Sequence, residues 1–161
     1  MLIDVKGYDD QAVVLDPGGS VGEIVELHGV LVALPKKPPR SEILFHDKSK
    51  KMQMWQRTPM PEELQRLGSM DEWFEQPSEF RKRFSPFIEK EFERRRNGVW
   101  FYNNGVPTYI TGRHYMLLQW SKIDIGYPYY LAFQREIFLH MAACEADPRC
   151  IGQLYTKCRR S

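Results

Sequence analysis

The chain has 161 residues, of which 42% are hydrophobic and 27% charged, the composition of a globular protein large enough for a core of its own. No apolar run reaches the ~18 residues of a membrane span, and the N-terminus lacks a signal peptide, so we expect an intracellular protein that does not contact a membrane. The three cysteines, an odd number without a secretion signal, indicate reduced thiols, and the scattered histidines predict no metal site.

The net charge of +2 is unevenly distributed. Residues 1–35 carry six acids and one lysine, whereas residues 36–57 carry seven lysines and arginines and two acids. A short basic stretch of this kind is typical of a solvated loop, and it is also typical of a nucleic-acid contact. Both interpretations stay open from composition.

Residues 1–58 are predicted to form a β-rich, exposed N-terminal segment. Asp16-Pro17-Gly18-Gly19 is a strong turn signal, and the β-branched run at 21–34 contains Gly29, which predicts two short strands with a bend. Residues 35–39 then combine three prolines with two lysines, a pattern typical of an extended linker.

From residue 59 to residue 161 the pattern favours helices, with an aromatic hairpin among them. A short helix is predicted over 61–67. Ser85 as N-cap, Pro86 at the first helical position and Gly98 after the last turn predict a helix over 86–97. The arginines at 94–96 suit the negative end of that helix, and they are also candidates for contacting DNA.

The remaining elements follow at short intervals. Residues 99–111 predict an aromatic hairpin with an Asn103-Asn104-Gly105 turn, and Thr111 predicts the cap of a helix that ends near residue 120. A longer helix is predicted over about 130–146, and residues 150–156 are predicted to be a buried strand. The aromatic residues between the two helices are expected to fill gaps in the core; they are Trp120, Tyr127, Tyr129 and Tyr130.

The final residues, Lys157-Cys-Arg-Arg-Ser161, bring basic side chains directly after that strand. Phosphate-binding loops begin in this way, because backbone N–H groups and a cation then offset the phosphate charge. The glycine and the magnesium-binding hydroxyl of such a loop are missing from the pentapeptide. By itself the pentapeptide is therefore more typical of a basic tail than of a phosphate-binding loop.

A longer stretch changes this assessment. Residues 97–115, Asn-Gly-Val-Trp-Phe-Tyr-Asn-Asn-Gly-Val-Pro-Thr-Tyr-Ile-Thr-Gly-Arg-His-Tyr, resemble the region before the ATPase core in terminase large subunits of crAss-like and related tailed bacteriophages. The sequence from Trp120 to Gly126 and the segments at 147–152 and 155–161 resemble the same family. The resemblance covers about residues 85–161, and the order, spacing and aromatic identities agree together. Residues 1–58 resemble no family that we can name.

The resemblance implies a mixed α/β fold: the β-rich segment, a helical middle, and the first strand of a truncated P-loop-type ATPase core. It implies that this DNA-packaging family's phosphate-binding loop opens at Lys157, with Arg159 or Arg160 as a second phosphate contact. It also implies that Phe133 and Gln134, 23 residues before Lys157, contact adenine. ATP and Mg²⁺ would be cofactors of the full-length parent, and none is expected for this chain alone.

The implied function is ATP-driven translocation of double-stranded DNA into the procapsid, in the host cytoplasm at the portal. The implied partners are double-stranded DNA, the portal, the small terminase subunit and further copies of the chain. The acidic pair that activates water and the nuclease domain have no counterpart here, so we expect an inactive fragment with no catalytic residue or metal ligand. We also expect the isolated chain to oligomerise through its unpaired last strand, or to leave its last twelve residues disordered.

Two alternatives stay open. One is a non-enzymatic virion or adaptor protein that binds another structural protein through its aromatic hairpin and basic segments. The other is a small nucleic-acid-binding protein that uses the basic stretches at 36–57 and 81–96, whose binding would weaken steeply with salt.

Overall fold

A computed structural model of the protein describes residues 1–16, 18–45, 55–66, 77–124 and 126–154. Strands dominate the N-terminal part of the described chain, and helices dominate its middle and C-terminal parts, which confirms the mixed α/β class. In chain order the elements are β1 (Leu2–Asp4), β2 (Gln11–Val14), β3 (Val21–Leu27), β4 (Val30–Pro35), a 3-10 turn (Arg40–Glu42), α1 (Glu62–Arg66), α2 (Pro77–Asn97), β5 (Val99–Asn103), β6 (Val106–Ile110), α3 (Gly112–Trp120) and α4 (Ala132–Ala146).

The N-terminal strands form a sheet in the order β1-β2-β4-β3, in which β2 and β4 are parallel and the outer pairs are antiparallel. His28 and Gly29 both have positive φ, 50° and 82°, which makes the tight turn between β3 and β4. The predicted pair of strands with a bend is thus confirmed. The expectation that this segment is exposed is wrong for the central strands, because β2 and most of β4 are buried.

Helix α2 begins earlier than predicted. Ser85 is not its N-cap, and Pro86 lies inside the helix rather than at its first position. The reason is that Pro77 already supplies a proline at the first helical residue, where its missing N–H costs nothing. The predicted end is confirmed: Gly98 has φ +75°, and its N–H donates to the carbonyl of Arg94 at 3.0 Å.

The aromatic hairpin is formed as expected. Trp100 pairs with Tyr109 across β5 and β6, and Asn104 and Gly105 have positive φ, as a two-residue hairpin turn requires. Thr111 then caps α3, since its Oγ1 accepts a hydrogen bond from the N–H of His114 at 3.4 Å.

Two buried clusters position the rest of the described chain. The first joins the N-terminal sheet to α4, so it contains residues from both sides of the boundary that we predict at residue 58; its members are Val13, Val32, Leu34, Tyr109, Leu139 and Ala143. The second lies between the hairpin and α3, and its members are Val99, Phe101, Ile110, Tyr115 and Leu118. The division into 1–58 and 59–161 stays a prediction.

The C-terminal segment differs from the expectation. Residues 150–154 are not in a strand, and Ile151 and Leu154 are fully exposed, so the predicted buried strand is wrong over these residues. A buried strand needs neighbours on both edges, and within the described ranges no strand pairs with this segment. The remainder of the predicted strand lies outside the described residues, and the P-loop-type core stays a prediction.

Candidate functional site

The residues predicted to bind nucleotide fall into two groups. Lys157, Arg159 and Arg160 lie outside the described residues. Phe133 and Gln134 are in the first turn of α4. The structure therefore describes the candidate nucleotide site only through its two residues in α4.

Phe133 and Gln134 point in different directions. Consecutive residues on a helix are about 100° apart, so they do not face one another. The ring of Phe133 is 54% exposed and open to stacking. The Oε1 atom of Gln134 is buried and has no hydrogen-bond partner among the described residues. Gln134 would have to turn outward to meet a ligand that stacks on Phe133.

Phe133 is one of four exposed large apolar residues at alternate positions of the sequence from 127 to 133. We call this set the aromatic ridge: Tyr127, Tyr129, Leu131 and Phe133, all of which are exposed. The prediction that the aromatic residues here fill the core is wrong for Tyr127 and for Tyr129, which is 69% exposed. Contiguous exposed apolar side chains of this kind mark binding surfaces.

Backbone geometry explains the ridge. Between α3 and α4 the described chain has no regular structure at 127–130, and burial alternates along it: Tyr127 and Tyr129 are exposed, whereas Pro128 and Tyr130 are half-buried. Tyr130 points inward, where its ring lies 5.1 Å from that of Phe101 and 5.7 Å from that of His114. Its sequence neighbour Tyr129 consequently points outward. One end of the ridge carries a cation, because the guanidinium of Arg57 lies 3.3 Å from the centre of the Tyr127 ring.

His114 lies directly beneath this segment. Its ring is fully buried and stacked between Tyr130 and Phe138, whose centroids are 5.7 Å and 4.8 Å away. Neither ring nitrogen has a hydrogen-bond partner in the described part of the chain. Burial and, to a smaller extent, the nearby charge of Arg135 together lower the pKa of His114 to about 4, so the ring is neutral at pH 7.

Glu91 is a buried carboxylate that joins α2 to α3. It accepts hydrogen bonds from the hydroxyl of Tyr115 at 2.6 Å and the indole N–H of Trp120 at 2.9 Å, and a salt bridge from Arg94 at 2.7 Å. Burial and the hydrogen bond to Glu91 together raise the pKa of Tyr115 to about 12. Arg94 therefore serves a structural role, and the network leaves it fewer donors for DNA.

A second polar contact ties the basic segment before α1 to the end of α3. The side chain of Gln119 exchanges two hydrogen bonds with the backbone of Thr58, at 2.6 and 3.1 Å. The guanidinium of Arg57 donates to the Gln119 carbonyl through Nε at 2.8 Å, as cations often do in the last turn of a helix. These contacts also hold Arg57 against Tyr127 of the ridge.

The described residues contain one cysteine–histidine contact, in which Cys144 Sγ lies 3.7 Å from His140 Nδ1. Burial and the neighbouring Cys150 raise the pKa of the Cys144 thiol, so it is not activated as a thiolate nucleophile. Within the described ranges no group of three or more His, Cys, Asp or Glu could hold a metal ion. The arrangement is suited to binding through stacking and apolar contact at the ridge.

Comparisons with protein-family models, with curated proteins and with solved structures find no match to this chain. None of the helices in the described ranges combines the length and apolar character needed to cross a bilayer. The fold is thus defined at the level of class, mixed α/β.

Proposed function

We propose that this chain is the N-terminal part of a viral DNA-packaging motor, the terminase large subunit, without a complete ATPase or nuclease site of its own. The observation that carries the proposal is the aromatic sequence at 97–115, with the segments at 120–126, 147–152 and 155–161 that follow it in the order of the family. ATP with Mg²⁺, double-stranded DNA, the portal and the small terminase subunit are the ligands and partners of the parent motor.

The local architecture is compatible with this proposal. The resembling region contains a hairpin, a capped helix and a long helix in succession, and this order leads towards the basic residues that we expect to open the phosphate-binding loop. The exposed ring of Phe133 is available for stacking on adenine. Phosphoryl transfer requires the phosphate loop, the metal and the water-activating acid together, so an incomplete set predicts binding without turnover.

Two experiments test the proposal. The coding sequence after Ser161 should continue with a glycine, an aromatic residue and a serine or threonine, and then a hydrophobic strand that ends in two acids. Expressed with that continuation, the protein should hydrolyse ATP, and Phe133→Ala should raise KM for ATP more than Tyr129→Ala, which changes the same ridge. A stop codon followed by no such sequence would overturn the proposal.

The 161-residue chain alone should show no ATPase activity above a buffer blank. Metal-dependent turnover that Lys157→Ala abolishes would contradict this expectation. The purified chain with Mg²⁺, assayed for released phosphate, provides the measurement.

The aromatic ridge favours a second candidate, a non-enzymatic virion or adaptor protein that binds another structural protein. In that case Tyr129→Ser with Phe133→Ser should abolish association with procapsid components, whereas the exposed tyrosine variant Tyr8→Ser, which lies outside the ridge, should not. A genuine stop codon after Ser161 and a stable folded monomer or ring would favour the adaptor over the motor.

A further inference from the structure

A cleft of about 340 Å³ opens where the end of α2, the beginning of α3 and the end of α4 meet. Its lining includes three arginines, Arg95, Arg96 and Arg113, and one acid, Glu145. The lining charge is therefore +2, from three positive groups and one negative group. A cleft with an excess of positive charge attracts anions, because its walls concentrate the electric field.

The three arginines differ in what holds them. Arg113 forms an exposed salt bridge with Glu145. The guanidinium of Arg95 lies over the ring of Trp120, 5.4 Å from its centroid, so Arg95 adds positive charge beside the cleft. Arg96 is exposed and makes no ion pair with a described residue. Arg96 and Arg113 are consequently the two side chains that can reach an anion in the cleft.

The backbone at this place is closely packed. A Cβ atom on Gly112 would overlap the carbonyl oxygen of Arg95, so the end of α2 and the start of α3 touch directly. This contact keeps the backbones that carry Arg96 and Arg113 at a constant separation. A binding site built on such backbones needs little reorganisation when a ligand arrives.

We propose that this cleft binds a phosphate oxyanion through the guanidinium groups of Arg96 and Arg113, with Glu145 as an internal competitor for Arg113. The planar donors of a guanidinium match the oxygens of phosphate and can bond two of them at once. The phosphate can come from the backbone of duplex DNA or from a free phosphate. The DNA source rests on the proposed function, whereas the free-phosphate source does not.

Because Glu145 competes with the anion for Arg113, the inference predicts opposite changes in affinity for two kinds of variant. Arg96→Gln with Arg113→Gln removes both donors, and Glu145→Gln removes a negative charge and releases Arg113. Lys6→Gln with Lys122→Gln is the matched control, because it removes the same charge from exposed positions that lie outside the cleft and outside both basic stretches. The affected side chains are exposed, so all variants are expected to fold, which circular dichroism checks.

Two probes distinguish the sources. A short fluorescent DNA duplex, titrated at several salt concentrations, reports on the DNA backbone, and inorganic phosphate at constant ionic strength reports on the free anion through a thermal shift. The plot of log K against log salt has a negative slope, and each lost phosphate contact makes that slope shallower by about 0.9. The double arginine variant should therefore make it shallower by about 2. Glu145→Gln should bind more tightly than the wild type.

Binding of the duplex that is lost in the double arginine variant supports the inference with DNA as the source. Binding of inorganic phosphate alone, lost in the same variant, supports it with a free phosphate as the source. The inference is overturned if the wild type binds neither probe, if the control variant loses as much affinity, or if Glu145→Gln weakens binding. Duplex binding that survives in the double arginine variant refutes the cleft and leaves the motor proposal intact.

Discussion

Acid should destabilise this protein through His114. The ring is fully buried with both nitrogens unpartnered, and its pKa falls from 6.5 to about 4 on folding. The unfolded chain therefore takes up a proton at a higher pH than the folded chain does. Stability associated with the neutral ring is fully present above pH 6.5 and is lost progressively as the pH falls towards 4.

The size of the effect follows from the two pKa values. A shift of about 2.5 pH units corresponds to about 3 kcal/mol at pH 4 and below, at about 1.4 kcal/mol per unit. At pH 5 most of the unfolded chain has already bound the proton, so the loss is about 2 kcal/mol relative to pH 7. This is a large fraction of the 5–15 kcal/mol typical of a folded domain.

Urea unfolding followed by circular dichroism at pH 7, 6 and 5 measures the effect. His114→Phe keeps an aromatic ring between Tyr130 and Phe138 and removes the titrating group, so its free energy of unfolding should change about 2 kcal/mol less over this range. The control is Met116→Leu, a non-titrating and exposed position of the same helix, which should leave the pH dependence of the wild type unchanged.

The reasoning would be refuted if His114→Phe lost as much stability between pH 7 and pH 5 as the wild type does. The comparison uses the change with pH and not the absolute stability, because a larger ring can itself cost 1–3 kcal/mol in a packed core. An NMR titration of the His114 ring in the folded protein, with a midpoint near 6.5, would contradict the same argument.

Three further predictions concern stability, each measured as the free energy of unfolding in urea. Glu91→Ala should cost about 3 kcal/mol or more, because it removes the buried carboxylate that accepts from Tyr115 and Trp120 and pairs with Arg94; a loss below 1 kcal/mol would contradict this. Gly112→Ala should cost about 1–3 kcal/mol through overlap with backbone, whereas Gly152→Ala, which meets open space, should change little; equal effects would refute the close approach. Gln119→Leu should cost about 2 kcal/mol by removing two bonds to Thr58, and an unchanged midpoint would show that the contact is not formed.

The local elements that the sequence predicts are formed where the signal lies in adjacent residues. The Asn104-Gly105 turn and the Thr111 cap depend on the backbone conformation or hydrogen bonds of residues within one turn of each other. The start of α2 was predicted wrongly because Ser85 and Pro86 carry a valid start signal, and so does Pro77. When one stretch of sequence contains two helix-start signals, local chemistry does not decide which of them begins the helix.

The candidate site was less predictable. Phe133 was identified from the family resemblance, but the exposure of Tyr127 and Tyr129 was not, since aromatic residues usually pack in cores. The buried role of Glu91 did leave a signal. It is an acid within an apolar helical stripe, and such a residue needs a donor from another element.

The sequence alone determined the class of fold, the hairpin and most helix ends, because turn and cap residues act on their immediate neighbours. Only the tertiary structure decided that His114 is buried without a partner, that Glu91 joins two helices, and that the ridge faces outward. Those properties depend on side chains distant in the chain, such as Phe138 beside His114 and Trp120 beside Glu91. Their energies come from excluding water, and which groups lose water is settled only when the elements pack together.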